Sequence, residues 1–342
     1  MKFKKIAALS TAVIMSASML VGCGNNNDSS NGSEKKTLKV GMVADVGGIN
    51  DESFNQSAWE GLQRAEKDLG IEIKVIESKQ ASEYITNMES LIDDGMDLVI
   101  GVGNTMKEDI KTEAENYPEQ QFVLIDETFE TIPENVTPIL FKENEATFLT
   151  GLIAGKMTKT NNVGFIGGMQ NPVISRFEYG YKAGVREANK DCEVKTQYAG
   201  TFSDAAKGKS IANQMYGSNT DIILSAAGGT GLGAIESAKE KDKYAIGVDR
   251  DQSSLAPNNV LTSALKKVDV GVYNTVKDLV DGKLTGGEAK VYGLKEDGVG
   301  IPESTKNLVP QDILDYVNTM IEKVKSGEIK VPSNEEEYNA SK

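Results

Sequence analysis

Residues 44–69 read ADVGGINDESFNQSAWEGLQRAEKDL, and their pattern decides the fold. A strand ends at Asp45, the chain turns through Val46-Gly47-Gly48, and a helix follows. Asp51 precedes that helix, and Ser53 with Gln56 three residues on has the spacing of a capping box. Ala58, Leu62, Ala65 and Leu69 recur at helical intervals and give it a face to bury. With Ser53 as the cap, Phe54 and Asn55 fall in the first turn, beside unpaired backbone N–H groups. In an open α/β sheet such a turn lies outside the carboxyl end of the strand, where ligands bind. The segment therefore offers an acid (Asp45), a glycine turn, an aromatic face (Phe54) and an amide (Asn55). Phe54 also fits the apolar stripe through Ala58 and Leu62, which would make it a core residue instead.

Working outward, the preceding residues speak of export. Met1–Lys5 is basic, Ile6–Leu20 is apolar and uncharged, and Leu20-Val21-Gly22-Cys23 follows. A membrane-spanning helix needs ~20 apolar residues, so this run is too short and has signal-peptide flanks. A cysteine at this point resembles the bacterial lipobox, in which cleavage after residues 1–22 leaves Cys23 as a lipidated N-terminus. The alternative is an ordinary signal peptide with an incidental cysteine. Residues 23–36 are polar and small (CGNNNDSSNGSEKK) and read as a flexible linker between anchor and folded protein.

Composition narrows the function. The leader carries three lysines and no acid, so its removal takes the net charge from −14 to −17. That acidity argues against a nucleic-acid surface and against a polybasic membrane patch. Cys192 is the only other cysteine, so no disulfide can form within the mature chain. The sequence has no histidine, which excludes Ser-His-Asp triads and the usual zinc sites. No cofactor motif stands out.

From Thr37 onward, strand-like and helix-like segments alternate, the mark of βαβ units and a parallel sheet. Strands are expected at 37–45, 71–77, 97–103, 121–126 and 137–141. The helices between them are expected at 81–95 and 106–116 besides the opening one. Asp97–Gly103 (DLVIGVG) is nearly all apolar, as befits a strand buried on both faces. After a helix at 144–157 the series restarts, with strands at 162–167, 193–199, 221–226, 243–249 and 260–265. Helices at 174–189, 204–216, 232–241 and 268–279 separate or follow them, and an amphipathic helix at 310–326 comes last. The chain is longer than one core of roughly 250–300 residues usually serves. The expected division is lobe 1 at 37–142, lobe 2 at 143–263, crossovers and shared elements at 264–331, and a loose acidic tail at 332–342.

Positions just past strand ends face the ligand crevice of a parallel sheet. Here they hold Asp45, Gly103-Asn104, Asp126, Gly167-Gly168, Gly228-Gly229 and Asp249. Carboxylates accept hydrogen bonds from ligand hydroxyl or N–H groups, and glycines let backbone come close to a ligand. A single strand-end Asp is often only a turn former; three across two lobes suggest a shared site. Gly229-Thr230-Gly231-Leu232-Gly233, with Asp249 about 20 residues on, sketches a dinucleotide fingerprint. Its spacing is GxGxG rather than GxGxxG and it lies mid-chain, so the dinucleotide reading is set aside. Phe177 opens the helix after Gly167-Gly168-Met169 as Phe54 does after Gly47-Gly48. Two such aromatics can sandwich a flat ring, and base–aromatic stacking contributes ~1–3 kcal/mol per base. Packing with Ala183 and Val185 is the structural alternative for Phe177.

Six motifs, DVGGINDESFNQSAWEGL, NEATFLTGLIAG, GFIGGM with F and GYKAGV downstream, SAAGGTGLG, GVDRDQ and TSALKKVDVGVY, resemble the basic membrane protein family of bacterial lipoproteins. The likeness runs from Val40 to Gly282 and more weakly to Val331. It implies a type I periplasmic-binding-protein fold, two doubly wound α/β lobes joined by a multi-crossover hinge. The best-understood members are purine nucleoside receptors of ATP-driven importers. Carried over by motif, Phe54 and Phe177 would stack on a base, with Asn55 and Asp126 at its edge and Asp45 close by. Asp249 and Lys266 would meet ribose hydroxyls, with Gly228 allowing backbone approach. Lys267 is adjacent and equally open to that role. A Lys266–Asp249 pair also makes sense because a cleft lysine needs a neutralising partner.

The expectation is thus a solute-binding lipoprotein of an ABC importer, held outside the cytoplasm by Cys23. It would bind nucleosides such as inosine, guanosine or adenosine and deliver them to permease subunits, with no bond chemistry and no cofactor. An exported nucleoside hydrolase using the same acids and a binding module that signals to a membrane sensor are the alternatives.

Overall fold

Strands and helices alternate through nearly the whole of the computed structural model, which describes residues 37–341. The leader 1–22, the proposed anchor Cys23 and the linker 23–36 lie outside the described residues. The first half runs β1 (Lys39–Ala44), α1 (Phe54–Leu69), β2 (Glu72–Glu77), α2 (Tyr84–Asp93), β3 (Leu98–Val102), α3 (Lys107–Asn116), β4 (Gln121–Ile125) and β5 (Val136–Phe141). A helix, α4 (Glu143–Met157), leads into the second half. That half runs β6 (Asn162–Gly167), α5 (Pro172–Ala188), β7 (Glu193–Tyr198), α6 (Ala205–Gly217), β8 (Ile222–Ala226), α7 (Gly229–Lys241), β9 (Tyr244–Asp249) and β10 (Val260–Lys266). Then come α8 (Val268–Val280), β11 (Lys290–Tyr292), β12 (Val299–Gly300), α9 (Gln311–Lys325) and α10 (Glu335–Ala340).

Two six-stranded sheets result, ordered β11-β5-β4-β3-β1-β2 and β12-β10-β9-β8-β6-β7. Every pairing in the first is parallel, and in the second only β10 with β12 is antiparallel. The chain order reverses beside β1 in one sheet and beside β6 in the other. Each reversal opens a crevice at the strand carboxyl ends. Sequence dictates which strands are central. Leu98–Val102 and Ile222–Ala226 are buried throughout, whereas the edge strands Glu72–Glu77 and Glu193–Tyr198 carry charged or polar residues on their open faces.

The chain passes between the sheets three times. After β5 it crosses through α4; after β10 it returns, with α8 packing on α1 and β11 pairing with β5; then β12 rejoins β10. Glycines let these helices meet backbone to backbone. A Cβ at Gly61 would overlap the carbonyl oxygen of Asp269 on α8. Between α4 and α5 the same holds three times. A Cβ at Gly151, Gly180 or Gly184 would overlap a main-chain carbonyl oxygen, that of Tyr181, Asn144 or Phe148 respectively.

Three local expectations need correction. Ser53 does not cap α1 with its side chain. Asp51 does so instead, its Oδ1 accepting from the Ser53 and Gln56 N–H groups at 2.9 and 3.1 Å and its Oδ2 from Asn55 N–H at 2.9 Å. The carboxylate, longer and charged, satisfies several orphan donors at once and leaves the Ser53 hydroxyl for another partner. Second, α7 begins at Gly229 and not at 232, so the glycine run is its first turn. Third, the acidic tail is ordered in part as α10. Asn334 caps it, accepting from Glu337 N–H at 3.0 Å, and Glu335–Glu337 complement the positive end of the helix. Tyr338 seats α10 on α5, lying 5.8 Å from the Tyr179 ring and under the Arg186 guanidinium at 4.2 Å.

Candidate functional site

The crevices of the two sheets face a single cavity with about 610 Å³ of atom-free space, part of it open to solvent. From the first half Asp45, Phe54, Asn55 and Asp126 line it, and from the second Phe177, Gly228, Asp249 and Lys266. All eight residues expected from the sequence therefore meet in one place.

The β1–α1 turn is tied by one amide. Asn55 Nδ2 donates to Asp45 Oδ1 at 2.8 Å and to Asp51 Oδ2 at 3.1 Å, and its Oδ1 accepts from Asp45 N–H at 3.1 Å. Gly47 N–H also donates to Asp45 Oδ1, at 2.8 Å. Both amide protons of Asn55 are thus used within the protein, and Asn55 fixes Asp45. Burial raises the Asp45 pKa above the usual carboxylate value, against the pull of the Gly47 and Asn55 hydrogen bonds.

Lys266, at the end of β10, is 2% exposed and reaches across to the first half. Its Nζ donates to Asp126 Oδ2 and lies 3.4 Å from Glu143 Oε1. The ammonium also faces the Phe54 ring at 4.5 Å from the centroid, with the Phe141 and Phe177 rings at 5.6 and 5.7 Å. A lysine among aromatic faces keeps its charge there through cation–π attraction and its carboxylate partners. Burial works against that charge, but Asp126, Glu143 and Asp249 outweigh it and hold the Lys266 pKa above the ordinary lysine value. The expected Lys266–Asp249 ion pair is not formed. Asp249 Oδ2 instead accepts from the Ser53 hydroxyl, while Asp126 of the first half takes the lysine. Lys267 points away and pairs at 2.9 Å with the exposed Asp297.

The acids at the ends of β4 and β9 are unusual in backbone and in charge. Asp126 and Asp249 both take left-handed conformations, with φ of 76° and 65°. Burial raises the pKa of Asp126 despite Lys266, and raises that of Asp249 to about 6. Asp126 Oδ1 is buried and has no hydrogen-bond partner in the protein. An unmet buried acceptor lining a cavity is a place for a ligand donor.

Beside the cavity, the chain after β9 grips α1. Arg250 donates to Glu52 Oε2 and Glu60 Oε1, each at 2.8 Å, and Gln252 Nε2 donates to the Glu52 carbonyl at 2.8 Å. Three polar or aromatic cavity residues escaped the sequence reading. Asn171 caps α5 through Ile174 N–H at 2.9 Å, and Asp51 caps α1. Phe202 lies over Gly168, whose missing side chain makes its room. The Gly167-Gly168 pair was the available signal for Phe202. Among the described residues, no cluster of acids and cysteines is arranged to hold a metal ion, and no helix is long and apolar enough to cross a membrane.

A family model described as ABC transporter substrate-binding protein PnrA-like, Bmp, matches residues 38–335. The chain belongs to the Bmp family. Among its relatives is the "ABC transporter nucleoside-binding protein BmpA" of Lactococcus lactis, 40% identical over 96% of this chain and 99% of that protein. "Basic membrane protein A" of Borreliella burgdorferi is 38% identical over 88% of this chain and 89% of its own length. Among solved structures, a solute-binding protein of an ABC transporter system from Aeropyrum pernix superposes with a TM-score of 0.81. It shares 29% identity over 89% of this chain and 96% of its own. The Bmp-family chain thus has the two-sheet α/β fold of type I solute-binding proteins. The family model and the Lactococcus relative are named for substrate binding and not for catalysis.

Proposed function

We propose that this Bmp-family protein is a lipid-anchored nucleoside receptor of an ABC importer, with purine nucleosides as its ligands. The observation that carries the reading is the cavity's pairing of two aromatic side chains with strand-end acids drawn from both halves. In this reading Phe54 and Phe177 flank the base, and Asp126 with Asp45, held by Asn55, accepts hydrogen bonds from its edge. Asp249 and Lys266 serve the ribose hydroxyls, and Gly228 lets main chain close on the sugar. The name of the Lactococcus relative supports a nucleoside over another small solute. Residues 37–142 and 143–263 form the closing lobes, and 264–331 supply the remaining crossovers. Binding energy is exchanged for closure, and permease subunits recognise the closed form. Cys23 tethers the protein outside the cytoplasm, and the chain does no bond chemistry.

Calorimetric titration of the protein from Gly24 onward tests this, with inosine, guanosine, adenosine, uridine, free bases and ribose, and product analysis of each mixture. Intact nucleosides bound at micromolar or tighter affinity are the expected result. Absence of binding to all of them overturns the nucleoside assignment, and release of free base makes the protein a hydrolase.

A further inference from the structure

Glu143 is the first residue of α4, is fully buried, and does not line the cavity. Its carboxylate is shared between two cations. Arg176 Nε, on α5, donates to Oε2 at 2.6 Å, and Lys266 Nζ lies 3.4 Å from Oε1. All three residues sit on elements packed around the second sheet, since α4 contacts α5 and β10. Asp126, the other partner of Lys266, belongs to the first sheet. The two acids therefore stand in different relations to the lysine. When the halves part, Asp126 leaves with the first sheet, whereas Glu143 remains.

Phe54 and Phe141 leave with the first half as well, so Glu143 and Phe177 are what stays beside the ammonium. The other acid near it in the second half, Asp249, makes no ion pair with Lys266, whereas Glu143 stands 3.4 Å from its ammonium. We propose that Glu143 is a positioning residue that holds the Lys266 ammonium in place while the cavity is open, so that each closure meets a charged, aimed donor. Arg176 Nε takes the other oxygen of that carboxylate. With both acids ionised, the four groups Lys266, Arg176, Asp126 and Glu143 balance in charge, and Asp126 Oδ1 stays free for the ligand.

The test uses ligand-free protein and the Lys266 13Cε resonance, assigned by its loss in Lys266→Met. In the wild type that resonance should report a charged lysine up to the alkaline limit of the folded protein. In Glu143→Gln its midpoint should fall by at least one pH unit, the effect of removing one adjacent opposite charge. Arg176→Gln leaves the carboxylate in place and should leave Lys266 charged over the same range. An unchanged titration in Glu143→Gln overturns the proposal, and so does loss of the charge in Arg176→Gln, which would mark a packing disturbance common to both. Should Glu143→Gln not fold, Glu143→Asp takes its place: its shorter carboxylate withdraws from the ammonium, so the midpoint should fall in the same direction by less, and no fall overturns the proposal. The effect on affinity rests on the receptor function proposed above: Glu143→Gln should bind inosine at least tenfold more weakly at pH 7.5. Failure of the wild type to bind nucleosides would overturn that function and leave the titration result standing.

Discussion

Asp126 and Asp249 occupy the same place in the two halves, each just past or at the end of the fourth strand, and each finds its polar partner in the opposite half. Asp126 of the first half takes Lys266 of the second, and Asp249 of the second takes Ser53 of the first. Both are buried and left-handed at the backbone, a conformation that costs a non-glycine residue roughly 1–2 kcal/mol. Two strained, desolvated carboxylates in corresponding positions are a poor solution for stability alone. Their reciprocal contacts tie the two halves to each other.

Asp249 gives a direct stability test. Burial sets its pKa near 6, above the unfolded value. Between those values the folded protein retains a proton that the unfolded chain has released, so stability falls as pH rises through that window. Asp249→Asn is expected to raise stability at pH 7.5 by on the order of 2 kcal/mol, with the gain fading by about pH 4. It should also weaken nucleoside binding at least tenfold. Thermal melts across pH, beside calorimetric titration, check both; a variant less stable than wild type at pH 7.5 would count against the assignment.

Neighbouring lysines should behave in opposite ways. Lys266→Met leaves Asp126 without its cation in a dry site and should cost about 3–5 kcal/mol at neutral pH as well as binding. Lys267→Ala removes a surface pair whose acid is 88% exposed, and should change stability by less than about 1 kcal/mol. Urea denaturation of the two variants separates them.

Phe54→Ala should weaken nucleoside binding at least tenfold, about 1.4 kcal/mol, with the fold intact by circular dichroism. The ring is half-buried against the core and faces the Lys266 ammonium, so its removal also loosens that donor. Unchanged affinity would return Phe54 to a packing role.

The fold was legible because its signals are local. Apolar runs such as Leu98–Val102 and helical spacing such as Ala58, Leu62 and Ala65 need no knowledge of distant residues. The site residues were legible for a related reason: strand ends fall in the crevice whatever the details of closure. What stayed hidden was the pairing. Nothing in the order of residues says that Lys266 will meet Asp126, 140 positions away, and not the nearer Asp249. Glu143 and Arg176 were invisible for the same reason, since their contact is made by two helices packing. The capping box misled because Ser53 satisfies a familiar local pattern while its hydroxyl is claimed from the other half.

Arg250 follows the cavity residue Asp249 without itself lining the cavity. Its two carboxylate bonds, to Glu52 and Glu60 of the first half, join the halves. Arg250→Ala should raise the ligand dissociation rate and weaken affinity roughly fivefold, about 1 kcal/mol, as expected of partly exposed pairs. Stopped-flow measurement of release, repeated in high salt, checks this. Salt should weaken the wild type toward the variant and leave the variant nearly unaffected.

The helix pair α4–α5 has no side chains between its backbones at Gly151, Gly180 and Gly184, so it has no slack to absorb change. Glu143, Arg176 and Phe177 ride on that pair as parts of a single block. A larger residue nearby cannot be accommodated by a small slide of one helix; it must displace the block or be rejected. Inventiveness in ligand choice therefore belongs to the opposite wall, where a Cβ at Gly47 or Gly48 would meet side-chain atoms of Asp45, Asn55 and Glu77 and no main chain. Of the two walls, one is the anvil and the other the part that selection can reshape.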